Sequence, residues 1–127
     1  MSDILVDTHA FIWFVEGNGR LGKEAKERIE KAPHRFLSVA SVWEIAVKVS
    51  IGKLGMSLPF ERLQEILDNN GFGLLPIRLA HTQRLIDLPF HHKDPFDRLL
   101  IAQAMVEQLP IITVDAHFAK YPVDIVW

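Results

Sequence analysis

At 127 residues the chain has the length of one domain. Its 49% hydrophobic content allows a packed core and excludes a disordered chain, and the absence of cysteine excludes disulfides, thiolate zinc sites and cysteine nucleophiles together. A formal net charge of −2 counts against a nucleic-acid binder, unless several of the acids surround a cation that inverts the local field.

The opening MSDILVDTHAF has no basic leader, and Asp3 and Asp7 interrupt its apolar run, so a signal peptide is not expected. No apolar run approaches the ~20 residues of a membrane span. The expectation is a cytoplasmic protein without membrane contact. Residues 4–6 read as a short buried strand ending at Asp7. Residues 8–16 read as a helix stopped by Gly17 and Gly19. The charged segment 22–32, with Ala25, Ile29 and Ala32 on one stripe, reads as a surface helix closed by Pro33. A strand over 35–38 leads into an apolar helix over 39–49 that ends near Gly52.

Residues 59–70 read as a helix with Pro59 in its first turn and Asn69-Asn70-Gly71 as its stop. Then come a strand over 73–77, a helix over 79–88 closed by Pro89, and a helix over 95–108 with Pro95 in its first turn. A fourth strand over 110–114 ends at Asp115, and 123–127 forms an edge strand. Short, apolar, unalternating strands that alternate with helices imply an α/β fold, a three-layer sandwich around a mainly parallel sheet in one domain spanning 1–127. In such sheets the ligand crevice lies beyond the carboxyl ends of the strands, where Asp7 and Asp115 fall.

Four acids stand out, each with a plainer reading beside it. Asp7 either caps the following helix or, if Thr8 takes that task, faces the crevice. Glu44 shares a stripe with Ser41 and Lys48 on an otherwise apolar helix. It fits a capping box with Ser41, or an ion pair with Lys48 worth ~0.2–0.5 kcal/mol. If Ser38 is the cap instead, Glu44 lies in the second turn and needs a partner, for which a metal is one answer. In HHKDPFDR, Asp94 and Pro95 read as N-cap and first helical residue. Asp97 shares a face with Leu100, Ile101, Ala104 and Met105, which carries it in beside the core. Asp115 is either a turn acid or a crevice acid, with Thr113 projecting to the same face of its strand. Hard cations such as magnesium take clusters of oxygen ligands of this kind and can support an in-line phosphoryl displacement.

At these residues the sequence resembles a known family. LVDTHAFIWF, SVWEIAVKVSIGKL, HHKDPFDRLLIAQA and IITVDAHFAKY are similar, in order and spacing, to the successive motifs of PIN-domain proteins, in particular the VapC-like toxins of toxin–antitoxin pairs. The resemblance implies a parallel-sheet α/β sandwich that cuts RNA with magnesium, manganese being able to substitute. By motif position, Asp7 resembles the first metal ligand, Glu44 the second acid, Asp97 the third and Asp115 a fourth, acting through water; Thr113 resembles a supporting hydroxyl. It also implies a homodimer and a cognate VapB-like antitoxin. On this reading Asp7 and Asp97 hold magnesium, Glu44 orients the attacking water or holds a second ion, and Arg98 or Lys48 contacts the RNA backbone. The rivals are metal-free acid–base cleavage by His9, His91 and His92, a receiver-like signalling domain, and a catalytically inactive PIN-like module that binds RNA or protein.

Overall fold

The computed structural model describes residues 2–53 and 59–127. Leu54, the last residue of the SVWEIAVKVSIGKL motif, lies outside them. The chain runs β1 (Ile4–Val6), α1 (Thr8–Glu16), α2 (Lys23–Lys31), β2 (Arg35–Ser38), α3 (Val39–Ser50), a 3-10 turn (Phe60–Arg62), α4 (Leu63–Asn69), β3 (Phe72–Leu75), α5 (Leu79–Ile86), α6 (Pro95–Glu107), β4 (Ile111–Ile112), a second 3-10 turn (Ala116–Lys120) and β5 (Ile125–Val126). The strands form one parallel sheet in the order β3-β2-β1-β4-β5.

Strand alternation sends neighbouring side chains to opposite faces, so the sheet feeds two cores. Ile4, Val6, Leu37 and Ile112 pack with α1, α2 and α4 through Phe11, Ile29 and Leu67. Leu5 and Ile111 pack on the other face with α6 through Leu100, Ile101 and Ala104, joined by Phe118 and Tyr121. Helices therefore cover both faces, as the apolar strands require. Among the described residues no helix is long and apolar enough to cross a membrane.

Where expected boundaries move, the hydrogen bonding explains it. The helix expected over 59–70 begins with the 3-10 turn, and Pro59 stands just outside it. β4 is shorter than expected because its chain leaves the sheet at Thr113, whose amide still donates to Val126 O at 3.1 Å. α5 stops at Ile86 rather than near Leu88: the amides of Asp87 and Leu88 donate three residues back, to Arg84 O and Leu85 O at 3.2 Å each, and Pro89 has no N–H to carry the helix on.

The strand order reverses between β1 and β4: β2 and β3 lie to one side of β1, β4 and β5 to the other. Chains leaving the carboxyl ends of β1 and β4 separate there and open a crevice at the switch point. α3 starts without a loop, because Ser38 ends β2 and also caps the helix through Ala40 N at 3.0 Å. Its second turn therefore stands over the same end of the sheet.

Candidate active site

Asp7 follows β1 directly and serves as the N-cap of α1. Its Oδ1 accepts from Thr8 N at 2.7 Å and its Oδ2 from the Thr113 hydroxyl at 3.0 Å. Capping and crevice roles thus fall on the same side chain, and Thr8 is released for another contact. The Thr8 hydroxyl lies 2.8 Å from Ser41 Oγ and donates to Glu44 Oε1 at 2.7 Å. Glu44 Oε2 accepts from Lys48 Nζ at 2.7 Å. With Ser38 as the cap, the capping-box reading of Ser41 and Glu44 falls away. Glu44 is a buried second-turn acid, held by an ion pair one helical turn along and by a hydroxyl from α1.

α6 brings the third acid. Asp94 Oδ1 accepts from the amides of Phe96 and Asp97 at 2.9 and 3.1 Å, and Pro95 occupies the first helical position, where its missing N–H costs nothing. Asp97 then enters beside the core one turn from the cap. Asp115 caps the second 3-10 turn: its Oδ1 accepts from the amide of His117 at 2.9 Å and lies 2.9 Å from His117 Nδ1. Thr113 Oγ1 accepts the amide of Asp115 at 3.1 Å while donating to Asp7, so one hydroxyl fastens two acid-bearing segments. Thr113 and Asp115 meet through that amide, not side by side on a strand face as the alternation suggests.

Asp7, Glu44, Lys48, Asp94, Asp97 and Asp115 line one crevice of about 370 Å³, together with His9, Trp13 and Val114. A larger hollow of about 560 Å³ lies at the amino ends of β2 and β3 around Arg35 and Gly71. Arg35 is engaged there, donating to Ile29 O at 3.2 Å and lying over the Phe14 and Phe72 rings. Convergent chemistry, not size, marks the first crevice as the site.

The electrostatics of the crevice follow from crowding of like charge. Asp97 is pushed up to about 8, first by burial and then by the charges of Asp7, Asp94, Glu44 and Asp115. Burial also raises Asp7, against the opposing hydrogen bonds from Thr113 and Thr8. Burial alone would raise Asp115, but hydrogen bonds from the His117 amide, His92 and the His117 ring bring it below the usual carboxylate range. Lys48 is raised: burial disfavours its charge, but the hydrogen bond and charge of Glu44, with Asp94 and Asp97, outweigh it. The donor set fits a hard divalent cation, being oxygen-rich and short of positive charge where the acids crowd most. Asp7 and Asp97 are the acids that burial and like-charge repulsion leave least compensated.

His92 is the residue that pattern reading placed in a rival chemistry and the structure places among the acids. Its Nε2 lies 3.1 Å from Asp97 Oδ2 and 2.8 Å from Asp115 Oδ2. The usable signal was the dense HHKDPFDR phrase, which set His92 two residues before a helix cap. Thr8 and Ser41 were also missed, being ordinary helix-start residues by sequence. Arg98 corrects an expectation. It is 7% exposed, donates to the carbonyls of Pro89, His92, Leu85 and Leu88, and packs over the Phe90 ring at 4.1 Å. It closes the carboxyl end of α5 and is not placed to meet RNA.

The fold and this crevice define a class: a doubly wound parallel α/β protein with acids from four segments gathered at its topological switch point. Residues 4–124 match the PIN domain model, and the chain belongs to the PIN domain family. No curated protein matches it significantly by sequence. Solved structures of the same fold include DNA-bound VapBC from Salmonella typhimurium (TM-score 0.72, 15% identity, 99% of this chain and 98% of that chain). VapBC2 from Rickettsia felis, bound to a DNA fragment from their promoter, gives a TM-score of 0.69 at 14% identity over 99% and 98% of the two chains. A toxin–antitoxin complex from Klebsiella pneumoniae gives 0.68 at 23% identity over 98% and 96%. At these identities the likeness is one of fold.

Proposed function

We propose that this protein is a magnesium-dependent endoribonuclease, with manganese able to substitute, acting as the toxin of a toxin–antitoxin pair. The observation that carries the reading is the convergence of Asp7, Glu44, Asp97 and Asp115 in one crevice, with Asp97 pushed up to about 8 by burial and by the other acids. A carboxyl group raised as Asp97 is takes its charged form more readily once a cation joins it. PIN family membership and toxin–antitoxin structures of the same fold support the reading.

Asp7 and Asp97 would hold the cation directly and Asp115 through water, its oxygens being already engaged by His117 and His92. Once bound, such a cation makes water a better nucleophile and stabilises the charge of an in-line phosphoryl displacement. The chain's own residues do the rest. Thr113 fixes the rotamer of Asp7 by donating to its Oδ2. Glu44, held at both oxygens by Thr8 and Lys48, orients the attacking water. Lys48 lines the crevice and is the cation an RNA phosphate meets there. Cleavage leaves a 5′-phosphate and a 3′-hydroxyl. The reading further assigns a single nuclease domain over 1–127, a cytoplasmic setting, a homodimer, and a VapB-like antitoxin that covers the crevice.

The test is cleavage of a defined RNA pool with magnesium or with excess EDTA, followed by sequencing of the ends. Cuts that need the divalent ion and carry 5′-phosphates are expected. Cuts that persist in EDTA with cyclic-phosphate ends would move the chemistry to the histidines, and tight RNA binding without cuts would leave a binding module.

A further inference from the structure

The ring of His92 is clamped on every side. Its main-chain amide donates to the Tyr121 hydroxyl at 2.9 Å, and that hydroxyl donates on to Pro89 O at 2.7 Å. The ring meets Phe118 and His117 edge to face, with centroids 5.7 and 5.6 Å away. The amide of Asp94 points at Nδ1 from 3.2 Å. An amide N–H can only donate, so Nδ1 must offer its lone pair, and the ring proton of a neutral histidine then sits on Nε2. That nitrogen faces Asp97 Oδ2 and Asp115 Oδ2. His92, Asp97 and Asp115 bring three ligand-type atoms within 4.8 Å of one another, which resembles a cation site. The tautomer argues otherwise: with the lone pair committed to Asp94, Nε2 is a donor and has none to give a metal.

We propose that His92 is a positioning residue for the acidic crevice, its Nε2–H holding Asp115 while the ring edge lies against Asp97, so that α6 and the segment after β4 present their carboxylates together. The proposal rests on the cation-dependent reading of the crevice. The histidine N–H bonds Asp115 and Nε2 lies 3.1 Å from Asp97, on a ring fixed by the helix cap that starts α6. The same main-chain amide that sets the histidine tautomer belongs to Asp94, whose side chain caps the helix carrying Asp97. Helix start, ring tautomer and acid orientation thus form one unit. Outer contacts of this kind typically change metal affinity by about 10-fold to 100-fold.

The experiment measures manganese binding to the RNA-free protein by electron paramagnetic resonance, alongside circular dichroism and thermal melting. H92F keeps the aromatic packing on Phe118 and loses the donor, and H92M fills the space without a donor should H92F fail to fold. H92Q places an amide N–H near the Nε2 position. Affinity is expected to fall about 10-fold or more in H92F with the fold retained, and to return to within about threefold of the wild type in H92Q. Wild-type affinity in a folded H92F or H92M overturns the proposal. So does an H92Q as weak as H92F, which would assign the ring a packing role only. If the wild-type protein itself binds no manganese, the cation reading of the crevice fails and this proposal falls with it; wild-type binding unchanged in the variants sinks the histidine's role alone.

Discussion

At the amino end of α6, Asp97 stands among Asp7, Asp94, Glu44 and Asp115, with His92 Nε2 3.1 Å away and, among the described residues, no arginine or lysine bonded to it. At the carboxyl end, Glu107 accepts from the fully buried His81 at 2.9 Å and lies 3.7 Å from the Arg78 guanidinium. His81 takes the Arg78 amide on Nδ1, so its Nε2 carries the proton that Glu107 receives. Two acids on one helix thus meet opposite treatment. Glu107 is satisfied by the protein alone and ties α5 to α6. Asp97 is left in a crowd of like charge. The contrast separates an acid paired within the fold from one whose burial goes uncompensated, and burying uncompensated charge costs stability.

The comparison is tested most severely at Asp7. Asp7→Asn keeps an acceptor for Thr8 N and lets the Thr113 hydroxyl rotate, so circular dichroism should match the wild type. Divalent-dependent RNA cleavage should fall by at least about 100-fold, because a ligand matters no less than the groups behind it. Full activity in this variant removes Asp7 from the mechanism. Next in size is Arg98→Met. Stripping a buried guanidinium from several carbonyls should destabilise the protein by about 3 kcal/mol in urea titration, with RNA affinity per folded molecule unchanged. An intact stability with weakened RNA binding would return Arg98 to the nucleic-acid surface.

The acid crowd itself predicts a pH effect. Between its ordinary value of 3.8 and about 8, Asp97 holds its proton in the folded chain and loses it in the unfolded one. The folded state therefore binds more protons, and stability without divalent ions must fall as pH rises through that window. Asp97→Asn removes the charge and should melt several degrees higher than the wild type at pH 9 but not at pH 4, a shift on the order of 2 kcal/mol. Magnesium should raise the wild-type melting temperature at pH 9 and leave the variant nearly unmoved. A wild-type melting temperature that climbs from pH 5 to pH 9 in EDTA would contradict this account. The smallest effect belongs to the other end of the helix. Glu107→Ala leaves the buried His81 N–H unpaired and should cost about 1 kcal/mol, with or without magnesium; a magnesium-dependent loss would show that the two ends of α6 are coupled.

Local chemistry made much of this legible in the sequence. Short apolar runs marked the strands, Gly17 stopped α1 in a left-handed conformation, and Asp94-Pro95 started α6 as caps do. Asp7 and Asp115 could be singled out because each follows a strand end that an α/β sheet turns toward its crevice, and Asp97 because it shares a helix face with Leu100, Ile101, Ala104 and Met105. The end of α5 is local, set by Pro89 and by amides that turn back three residues, but only the fold brings Arg98 to the carbonyls left open there.

By its own pattern the sequence determined which segments are strands and helices, which faces are apolar, and that acids follow two strand ends, because propensity, capping and hydrophobic period act over a few residues at a time. Only the tertiary structure decided which partner each polar group takes. It gave Thr8 to Glu44, Thr113 to Asp7, Arg98 to the end of α5 and His92 to Asp115. These choices join residues 7 and 113, or 8 and 44, which become neighbours only when the sheet order reverses between β1 and β4. Hydrogen bonds demand distances near 3 Å, and no local rule along the chain can supply them.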